Sequence, residues 1–568
     1  MRWGPELLND GRARFRLWAP DKDAVMLEID EQKPVQMNGA GKGWFEVEAD
    51  AAPGSLYRFR ISDDLAVADP ASRAQSGGVH SWSVLTDPDA YEWRCDDWRG
   101  RPWEEAVIEE VHAGVLGGFA GVMDRLPELA DLGVTAVQLM PVAAFGGTRN
   151  WGYDGVLPYA VAESYGSPDD LKALVDRAHE RGLMVFLDVV YNHFGPDGNY
   201  LGAYASGFFD TDKDTPWGGA VAVNREPVRR FFIDNALMWL KEYRIDGLRF
   251  DAVHAIGDSA FLDEMAREIR AAIPNRHIHL VLENEHNDAD RLRPGLYDAQ
   301  WNDDFHNVLH VLLTGEDEAY YRGFSEQPER KLARCLAEGF IYQGEVPPGA
   351  DHARGKPSGN LPATRFVSFL QNHDQVGNRA LGERLTVLVG QDRLRAATAL
   401  LLLCPQIPLI FMGDSEGSRS PFLFFTDFHD ELAEAVREGR RGEFAGFKAF
   451  QDEEARERIP DPNARATFER SKPEPGPDAA GWRAFYRELL TMRREQIVPR
   501  LHGTTGIRAE VLGEGAVHAR WRLGDGAILA VTMNIGPDEV LMAEPKGEPL
   551  FSLGKPGEPA SFHADLMH

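Results

Sequence analysis

Four short segments of this chain each place a carboxylate directly after an apolar run. The carboxylates are Asp188 in DVVYNHFGPDGN, Asp251 in GLRFDAVHAI, Glu283 in HLVLENE and Asp374 in FLQNHDQVGNR. Apolar runs of this length are typical of buried strands. In a barrel of parallel strands, carboxylates at several strand ends surround one cavity, which is the arrangement needed by an enzyme that acts on a sugar.

A single acidic residue after a strand is more often a helix cap or an ion-pair partner than a catalyst. Here four of them follow four separate predicted strands, among His, Asn and Arg residues, and capping does not explain the whole set. Cleavage of a glycosidic bond through a covalent intermediate needs one carboxylate as nucleophile and another as acid and then base, about 5 to 5.5 Å apart. The set therefore fits glycoside hydrolysis.

Asp251 and Glu283 stand in different predicted environments. Arg249 lies two residues before Asp251 on the same strand, so both side chains point to one side of it. A permanent cation there keeps Asp251 ionised, as a nucleophile must be. Glu283 follows the apolar run HLVL, where partial desolvation raises the pKa of a carboxyl group and lets it hold a proton.

Imidazole and aromatic side chains accompany these carboxylates. His193 and His373 each follow an Asn at a strand end, where they are placed to hydrogen-bond ring hydroxyls. No two His residues have a ligand spacing such as HExxH, which disfavours a catalytic metal. Sugars stack on aromatic rings, although a single Trp is as often part of a core. The aromatic candidates are Trp151, Tyr153, Trp217 and Trp301.

Short apolar strands alternate with amphipathic helices from about residue 105 onward, which is the pattern of βα units. Helices are predicted over 168–182 and 228–243, where apolar residues recur at spacings of three and four. Eight strands complete the pattern: AVIEEVHAG, VTAVQLMPV, LMVFLDVV, GLRFDAV, IHLVLEN, LYDAQWN, RFVSFLQ and IPLIFMG. Eight such units predict an α/β fold, a (β/α)8 TIM barrel with its site at the carboxyl ends of the strands.

The sequence predicts β structure at both ends of the chain. Alternating apolar and polar residues over 14–19, 25–29, 44–49 and 57–61 predict an N-terminal β-sandwich, immunoglobulin-like in type. The same alternation over 517–523 and 527–535 predicts a C-terminal antiparallel β domain. We therefore expect an N-terminal sandwich over 1–92, the barrel over 93–497 and the C-terminal domain over 498–568.

Composition narrows the classes of partner. The 568 residues are too many for one core. A net charge of -29 disfavours nucleic acid and anionic membranes, whereas a neutral carbohydrate is compatible with it. The start of the chain has no apolar h-region, and the longest apolar stretch, 396–412, is broken by Pro405 and Pro408, so a cytoplasmic protein is expected. Three widely spaced cysteines predict reduced structural residues.

The four segments, in this order and spacing, resemble those of the α-amylase superfamily of glycoside hydrolases, family 13. The resemblance implies that Asp251 is the nucleophile, Glu283 the general acid/base and Asp374 the third carboxylate, which grips sugar hydroxyls and stabilises the transition state. Glu285 is the nearby alternative to Glu283, which directly follows the strand and fits the motif better. The expected substrate-binding residues are Asp188, His193, Arg249, His373, Tyr153, Trp151, Trp217, His254 and Glu285.

An N-terminal sandwich before the barrel is similar to that of the branching, debranching and trehalose-forming groups of this superfamily. Three further stretches, NWGYDGV, the run from QGEVPPG to LGERL, and SPFLFFTDFHDELAEAVREGRRGEF, resemble the trehalohydrolases nearly end to end. FLFFTDF is the most specific of them. Such enzymes commonly carry Gly-Glu-Glu-Trp after the eighth strand, whereas this chain has Gly413, Asp414, Ser415 and Glu416, which leaves the contacts of that loop open.

This resemblance implies hydrolysis of the α-1,4 bond that joins a terminal trehalose to a malto-oligosaccharide, with retention and without a cofactor. It also implies a pathway partner, the malto-oligosyltrehalose synthase that makes the substrate. Loops after the later strands, including 422–427, are expected to select the trehalose leaving group. The alternatives are a glucan branching enzyme, which uses the same carboxylates but passes the glucan to a sugar hydroxyl, and a noncatalytic glucan-binding protein.

Overall fold

The computed structural model, which describes residues 3–215, 218–541 and 547–568, contains a central parallel barrel. Antiparallel sheets precede the barrel in sequence and follow it. This order of elements confirms the predicted fold class. Among the helices of the described ranges, none is long and apolar enough to cross a membrane.

The N-terminal region forms two antiparallel sheets with the strand orders β1-β2-β6-β5 and β4-β3-β7-β10-β9, with β8 paired to β7. Phe15 of the first sheet and Tyr57 of the second have ring centroids 4.8 Å apart, so the two sheets face each other. The strands are β1 Glu6–Leu7, β2 Arg12–Trp18, β3 Met26–Ile29, β4 Val35–Gln36, β5 Asn38–Gly41, β6 Trp44–Asp50, β7 Leu56–Ser62, β8 Leu65–Val67, β9 Ala74–Ser76 and β10 Trp82–Val84.

Alternation explains the sandwich. In β2, Ala13, Phe15 and Leu17 are fully buried. The arginines between them point outward, and Arg14 and Arg16 pair with Glu48 and Glu46 on the neighbouring strand β6. One face of each strand thus enters the core while the other carries cross-strand ion pairs.

Eight parallel strands close the barrel in the order β11-β12-β15-β18-β19-β20-β21-β22, and each lies within one of the eight predicted apolar runs. They are β11 Ile108–Val111, β12 Ala136–Leu139, β15 Met184–Val189, β18 Gly247–Phe250, β19 His279–Leu282, β20 Ala299–Trp301, β21 Phe366–Ser368 and β22 Ile407–Phe411. Two hairpins interrupt the βα pattern, and their strands are β13 Ala143–Phe145, β14 Gly155–Val161, β16 Phe209–Thr215 and β17 Gly218–Val221.

Helices separate the barrel strands. The two predicted helices are confirmed with shifted ends: α2 stops at His179, three residues before Gly182, and α3 starts at Glu226 because Pro227 fits a first turn. The helices are α1 Gly118–Leu132, α2 Pro168–His179, α3 Glu226–Lys241, α4 Ser259–Ala272, α5 Asp303–Thr314, α6 Arg322–Ser325, α7 Pro328–Glu338, α8 His373–Gly377, α9 Leu385–Leu388, α10 Gln391–Leu403, α11 Asp430–Glu443, α12 Glu453–Glu457, α13 Arg465–Arg470 and α14 Ala479–Met492.

The C-terminal sheet has the order β23-β24-β25-β27-β26 and packs on barrel helices. Trp521 donates a hydrogen bond to Leu336 O on α7, and Arg393 of α10 donates to Ile535 O. The strands are β23 Thr505–Gly513, β24 Ala516–Arg522, β25 Ile528–Asn534, β26 Glu548–Leu553 and β27 Ser561–Met567.

The N-terminal sheets are also fixed to the barrel. Arg73 Nη2 lies 2.7 Å from Glu242 Oε1, directly after α3, and both side chains are largely buried. The last strand before the barrel ends at Val84 and the first strand after it begins at Thr505. We therefore propose domain boundaries at 92/93 and 497/498, which fall between these strands and the barrel.

All three cysteines are unpaired, and Cys335 and Cys404 are buried.

Candidate active site

The predicted catalytic carboxylates lie at the carboxyl ends of their barrel strands. Asp251 and Glu283 each follow the last residue of a strand, β18 and β19, and Asp374 lies in the short helix α8 that follows β21. Asp188 stands in β15 opposite Arg249 in the register of neighbouring strands. Side chains that are level on adjacent parallel strands project to the same face, so the fold brings these residues together.

One guanidinium joins three of the carboxylates. Arg249 Nη1 lies 2.8 Å from Asp188 Oδ2 and 2.8 Å from Asp251 Oδ1, and its Nη2 lies 2.9 Å from Glu283 Oε2. The Arg249 side chain is fully buried and lies over the ring of Trp301 at 4.1 Å. A rigid, permanently charged fork of this kind holds several oxygens in fixed positions.

Glu283 is held in a state that favours its protonated form. Burial raises its pKa well above the usual range, Arg249 opposes the shift, and the charges of Asp251 and Asp374 add to it. Its Oε2 also accepts a hydrogen bond of 2.7 Å from the backbone N–H of Ala252. Asp251 accepts hydrogen bonds from Arg249 and from the Asn192 amide at 2.9 Å. Each carboxylate thus contacts Arg249 and one neutral N–H donor, and burial favours a protonated Glu283, as an acid requires.

Asp374 is paired with the histidine that precedes it. His373 Nε2 lies 3.4 Å from Asp374 Oδ1. Burial disfavours the charged imidazole, yet the carboxylates of Glu110 and Asp374 raise the pKa of His373 well above its usual range. Burial would likewise raise the pKa of Asp374, but the adjacent His373 cation lowers it. Asp374 thus stays ionised beside a protonated Glu283.

Aromatic rings form one wall of the site. The Tyr153 ring stacks on His373 with centroids 5.0 Å apart, and its hydroxyl donates a 2.7 Å hydrogen bond to Asp188. His193 Nε2 lies 3.0 Å from Tyr153 O, so it belongs to the same wall. Trp151 is only 5% exposed and bonds through its indole N–H to Leu423 O, which places it behind His373 as a packing residue. Trp217 lies outside the described residues.

His254 and Glu285 lie further out on the side of Glu283. His254 Nε2 is 3.6 Å from Glu285 Oε2, and the Glu285 side chain is 72% exposed. Glu283, in contrast, is largely buried and forms an ion pair with Arg249. The geometry therefore favours Glu283 over Glu285 as the acid.

A buried carboxylate, Asp304, organises the rim beside Glu283. Its oxygens bind the Asn287 amide at 3.0 Å, the backbone N–H of Ile341 at 2.7 Å and Arg354 Nη2 at 3.0 Å. Its neighbour Asp303 faces the catalytic groups, and burial raises the pKa of Asp303 to about 7. Sequence reasoning missed both, although the acidic pair one residue beyond the strand end QW was a usable signal.

Glu110 is a further residue that sequence reasoning missed. Its carboxylate is fully buried, and it bonds to the ring and the backbone of His373. The signal was the polar pair Glu109 and Glu110 within the otherwise apolar first strand.

The acidic residues of the loop after the eighth strand bind neighbouring protein groups. Asp414 accepts hydrogen bonds from Gln371 and from Phe411 N–H, and Glu416 pairs with Arg483. Further along this loop, Asp427 accepts hydrogen bonds from the backbone and the hydroxyl of Thr148, each at 2.8 Å. Residues 413–416 thus anchor the loop to neighbouring segments.

A closed (β/α)8 barrel with paired carboxylates at its strand ends and an arginine between them defines a glycoside hydrolase barrel of the α-amylase type. The model of the alpha-amylase catalytic domain matches residues 71–217, and that of a domain of unknown function, DUF3459, matches residues 505–564. A crystal structure from Salmonella typhimurium, assigned as an alpha amylase, superposes with a TM-score of 0.95 at 46% identity and covers 100% of this chain and 99% of that one.

Named relatives show to which group of α-amylase-type enzymes the chain belongs. A malto-oligosyltrehalose trehalohydrolase from Deinococcus radiodurans is 39% identical over 567 residues, which cover 95% of this chain and 93% of that protein. A 1,4-alpha-glucan branching enzyme from Cellvibrio japonicus is 30% identical over 296 residues, which cover 46% of this chain and 40% of that protein. The chain belongs to the malto-oligosyltrehalose trehalohydrolase family.

Proposed function

We propose that the protein hydrolyses the α-1,4-glucosidic bond next to the terminal trehalose of malto-oligosyltrehalose. The products are free trehalose and a malto-oligosaccharide that keeps the α configuration. The observation that carries this proposal is the Arg249 guanidinium, which holds Asp251 and Glu283 at its two ends while burial keeps a proton on Glu283. Full-length similarity to a trehalohydrolase supports the choice of substrate.

In the first step, Glu283 donates its proton to the glycosidic oxygen and trehalose leaves as the alcohol. Asp251 attacks the anomeric carbon from the opposite face, and a glycosyl ester forms as the old bond breaks. Arg249 orients the attacking oxygen of Asp251 through a 2.8 Å hydrogen bond. Asp374, kept ionised by His373, supports the positive charge that develops on the sugar.

In the second step, water replaces trehalose beside Glu283. The carboxylate of Glu283 takes a proton from this water, the oxygen attacks the anomeric carbon, and the ester bond to Asp251 breaks. Two inversions give net retention. Asp188, His193, His373 and Tyr153 form the wall that is placed to bind the hydroxyls of the reacting sugar. His254, Glu285 and Trp217 are proposed for the leaving-group side.

The main rival is a branching enzyme, which would pass the glucan to a sugar hydroxyl with the same carboxylates. Similarity to a named branching enzyme covers less than half of this chain, whereas similarity to a trehalohydrolase runs nearly end to end. The hydrolase is therefore the better supported of the two. We further propose a cytoplasmic protein that works after malto-oligosyltrehalose synthase and binds neither nucleic acid nor membrane, in keeping with its net charge of -29.

The test is incubation of the purified protein with maltotriosyltrehalose and, separately, with amylose. Free trehalose, new reducing ends and α-1,6 branches are followed by chromatography and NMR. We expect rapid trehalose release and no branches, and an initial maltotriose product in the α form. Branches from amylose, or an untouched trehalose conjugate, would transfer the protein to another branch of the superfamily. The Asp251→Asn variant serves as the inactive control.

A further inference from the structure

A buried carboxylate that takes no part in the proposed bond-breaking steps lies behind His373. Glu110, in the first barrel strand, is fully buried. Its Oε1 lies 2.7 Å from His373 Nδ1, and its Oε2 accepts a 2.9 Å hydrogen bond from the His373 backbone N–H. Both oxygens of the carboxylate are thus committed to one residue. Such a two-point contact fixes the position of the ring as well as its charge.

The other edge of the same ring faces the third carboxylate. His373 Nε2 lies 3.4 Å from Asp374 Oδ1, which also accepts a hydrogen bond from Asn378. Three aromatic rings enclose the imidazole: Tyr153, Trp151 and Trp301. The charge of His373 also acts on Asp188 and His112. The ring is therefore the middle of a carboxylate–imidazole–carboxylate row.

We propose that Glu110 is a positioning residue that keeps a proton on His373 Nδ1 while Asp374 faces a second proton on Nε2, so that His373 remains a cation throughout the neutral pH range. Glu110 touches no substrate and acts through His373. The inference deepens the proposed function and rests on it, because it assigns the protonation state on which Asp374 depends during glycosyl transfer.

The charge balance of the site shows why this proton matters. Arg249 contacts three carboxylates at once: Asp188, Asp251 and Glu283. If His373 were neutral, Asp374 would also depend on the Arg249 guanidinium to compensate its charge, and four carboxylates would share one cation. Like charges that crowd together compete for protons. Asp374 would then draw a proton toward itself at the moment when its charge is needed.

A glutamine cannot replace the carboxylate in this role. The two oxygens of Glu110 accept from two N–H groups of His373. Gln has one acceptor and one donor at these positions. Its oxygen would meet the backbone N–H, and its NH2 group would then face Nδ1. An NH2 donor opposite Nδ1 requires a ring nitrogen without a proton, so Glu110→Gln imposes a neutral His373.

The experiment compares Glu110→Gln with Glu109→Gln in the full-length chain. Glu109 is the neighbouring residue on the same strand and equally buried, but its carboxylate faces Arg125 of α1 at 3.9 Å instead of the site. The His373 imidazole signals are followed by NMR during a pH titration of histidine-labelled protein, and His373→Gln assigns them. The pH profile of kcat/KM with maltotriosyltrehalose is measured in parallel.

We expect the pKa of His373 in Glu110→Gln to fall by at least about one unit. The alkaline limb of the pH profile of kcat/KM shifts to lower pH by the same amount. At pH 7, kcat/KM falls about tenfold, mostly through kcat, because a charge that stabilises the transition state is lost. Glu109→Gln keeps the wild-type titration of His373. Glu110→Asp retains the anionic acceptor and restores the charged His373, which separates lost charge from lost structure.

A Glu110→Gln protein whose His373 titrates as in the wild type would overturn the inference, whatever its activity. If Glu110→Gln does not fold, Glu110→Asp decides, since a His373 that is neutral at pH 7 beside that carboxylate also contradicts it. The NMR titration needs no substrate. A protein that releases no trehalose but keeps a charged His373 therefore refutes the proposed function and leaves the Glu110 contact standing.

Discussion

The two ends of β18 hold buried carboxylates in opposite electrostatic surroundings. At the amino end, Asp246 accepts hydrogen bonds from four donors: Trp98 Nε1 at 2.8 Å, His179 Nε2 at 2.8 Å, Val185 N at 3.0 Å and Arg276 Nη2 at 3.1 Å. At the carboxyl end, one guanidinium is divided among three carboxylates. The first end thus has four donors on one carboxylate, whereas the second shares one cation among three carboxylates.

The pKa shifts follow this difference. Burial disfavours the Asp246 anion, but His179 and Arg276 more than offset it, so the pKa of Asp246 is lowered. Burial raises the pKa of Glu283, and the shared Arg249 does not offset it. A fully satisfied carboxylate stabilises the fold, whereas an under-compensated one can exchange a proton during a reaction. In a barrel, stability thus concentrates at the amino ends of the strands and chemistry at the carboxyl ends.

The largest expected effect is that of Asp251→Asn. An amide cannot act as the nucleophile, so kcat should fall at least about 10⁴-fold, as for other nucleophile replacements. The thermal midpoint should stay within a few degrees of the wild type. Trehalose release and calorimetry measure the two quantities. Activity within tenfold of the wild type would remove Asp251 from the mechanism and erase the contrast between the two ends.

Asp246→Asn should have the reverse outcome. Removal of the Asp246 charge leaves its buried partners without a counter-charge, and such a loss destabilises a protein by about 3 to 5 kcal/mol. The free energy of unfolding, from denaturant titration, should fall by this amount, while kcat per folded molecule remains near the wild-type value. A stable but inactive Asp246→Asn protein would contradict the division of labour between the ends.

A smaller effect is expected on the stability of the protein at acidic pH. Because the folded-state pKa of Asp246 is lowered, its contribution to stability is complete above the unfolded value of about 4 and is lost as pH falls through the folded value. The stability difference between the wild type and Asp246→Asn should therefore shrink below about pH 4. Denaturant titrations at several pH values measure it. A difference that grows in acid would show the opposite sign of linkage.

The smallest effect is expected for Glu285→Gln. This side chain is 72% exposed, and its pair with His254 is a surface contact. Exposed pairs contribute less than about 1 kcal/mol, so kcat/KM should change less than about fivefold. Glu283→Gln is the matched comparison and should lose most activity with maltotriosyltrehalose. Equal losses in the two variants would leave Glu285 as the alternative acid.

The barrel was predictable because strands buried on both faces appear as uninterrupted apolar runs. The same runs locate Asp251 and Glu283 at strand ends, and the pair Arg249 and Asp251 follows from alternation along one strand. The two-residue spacing said nothing, however, about Asp188 or Glu283 sharing that guanidinium.

Contacts between distant segments were not predictable. Glu110 and His373 are 263 residues apart, and nothing in the sequence of either segment indicates that the two are in contact. Asp246 precedes its strand as an ordinary polar residue, and its four donors come from separate parts of the chain. Trp151 illustrates the same limit, since a sequence cannot show whether a ring faces a cavity or, as here, a backbone carbonyl.

Asp304 has a consequence for the speed of turnover. Its carboxylate secures the segment that carries Asn287, the segment at Ile341 and Arg354 in one cluster. Any opening of the rim beside Glu283 would therefore break several buried hydrogen bonds together. Where product departure limits turnover, such an opening carries a large activation enthalpy. Warming should then accelerate catalysis more steeply than it accelerates the glycosyl-transfer step alone.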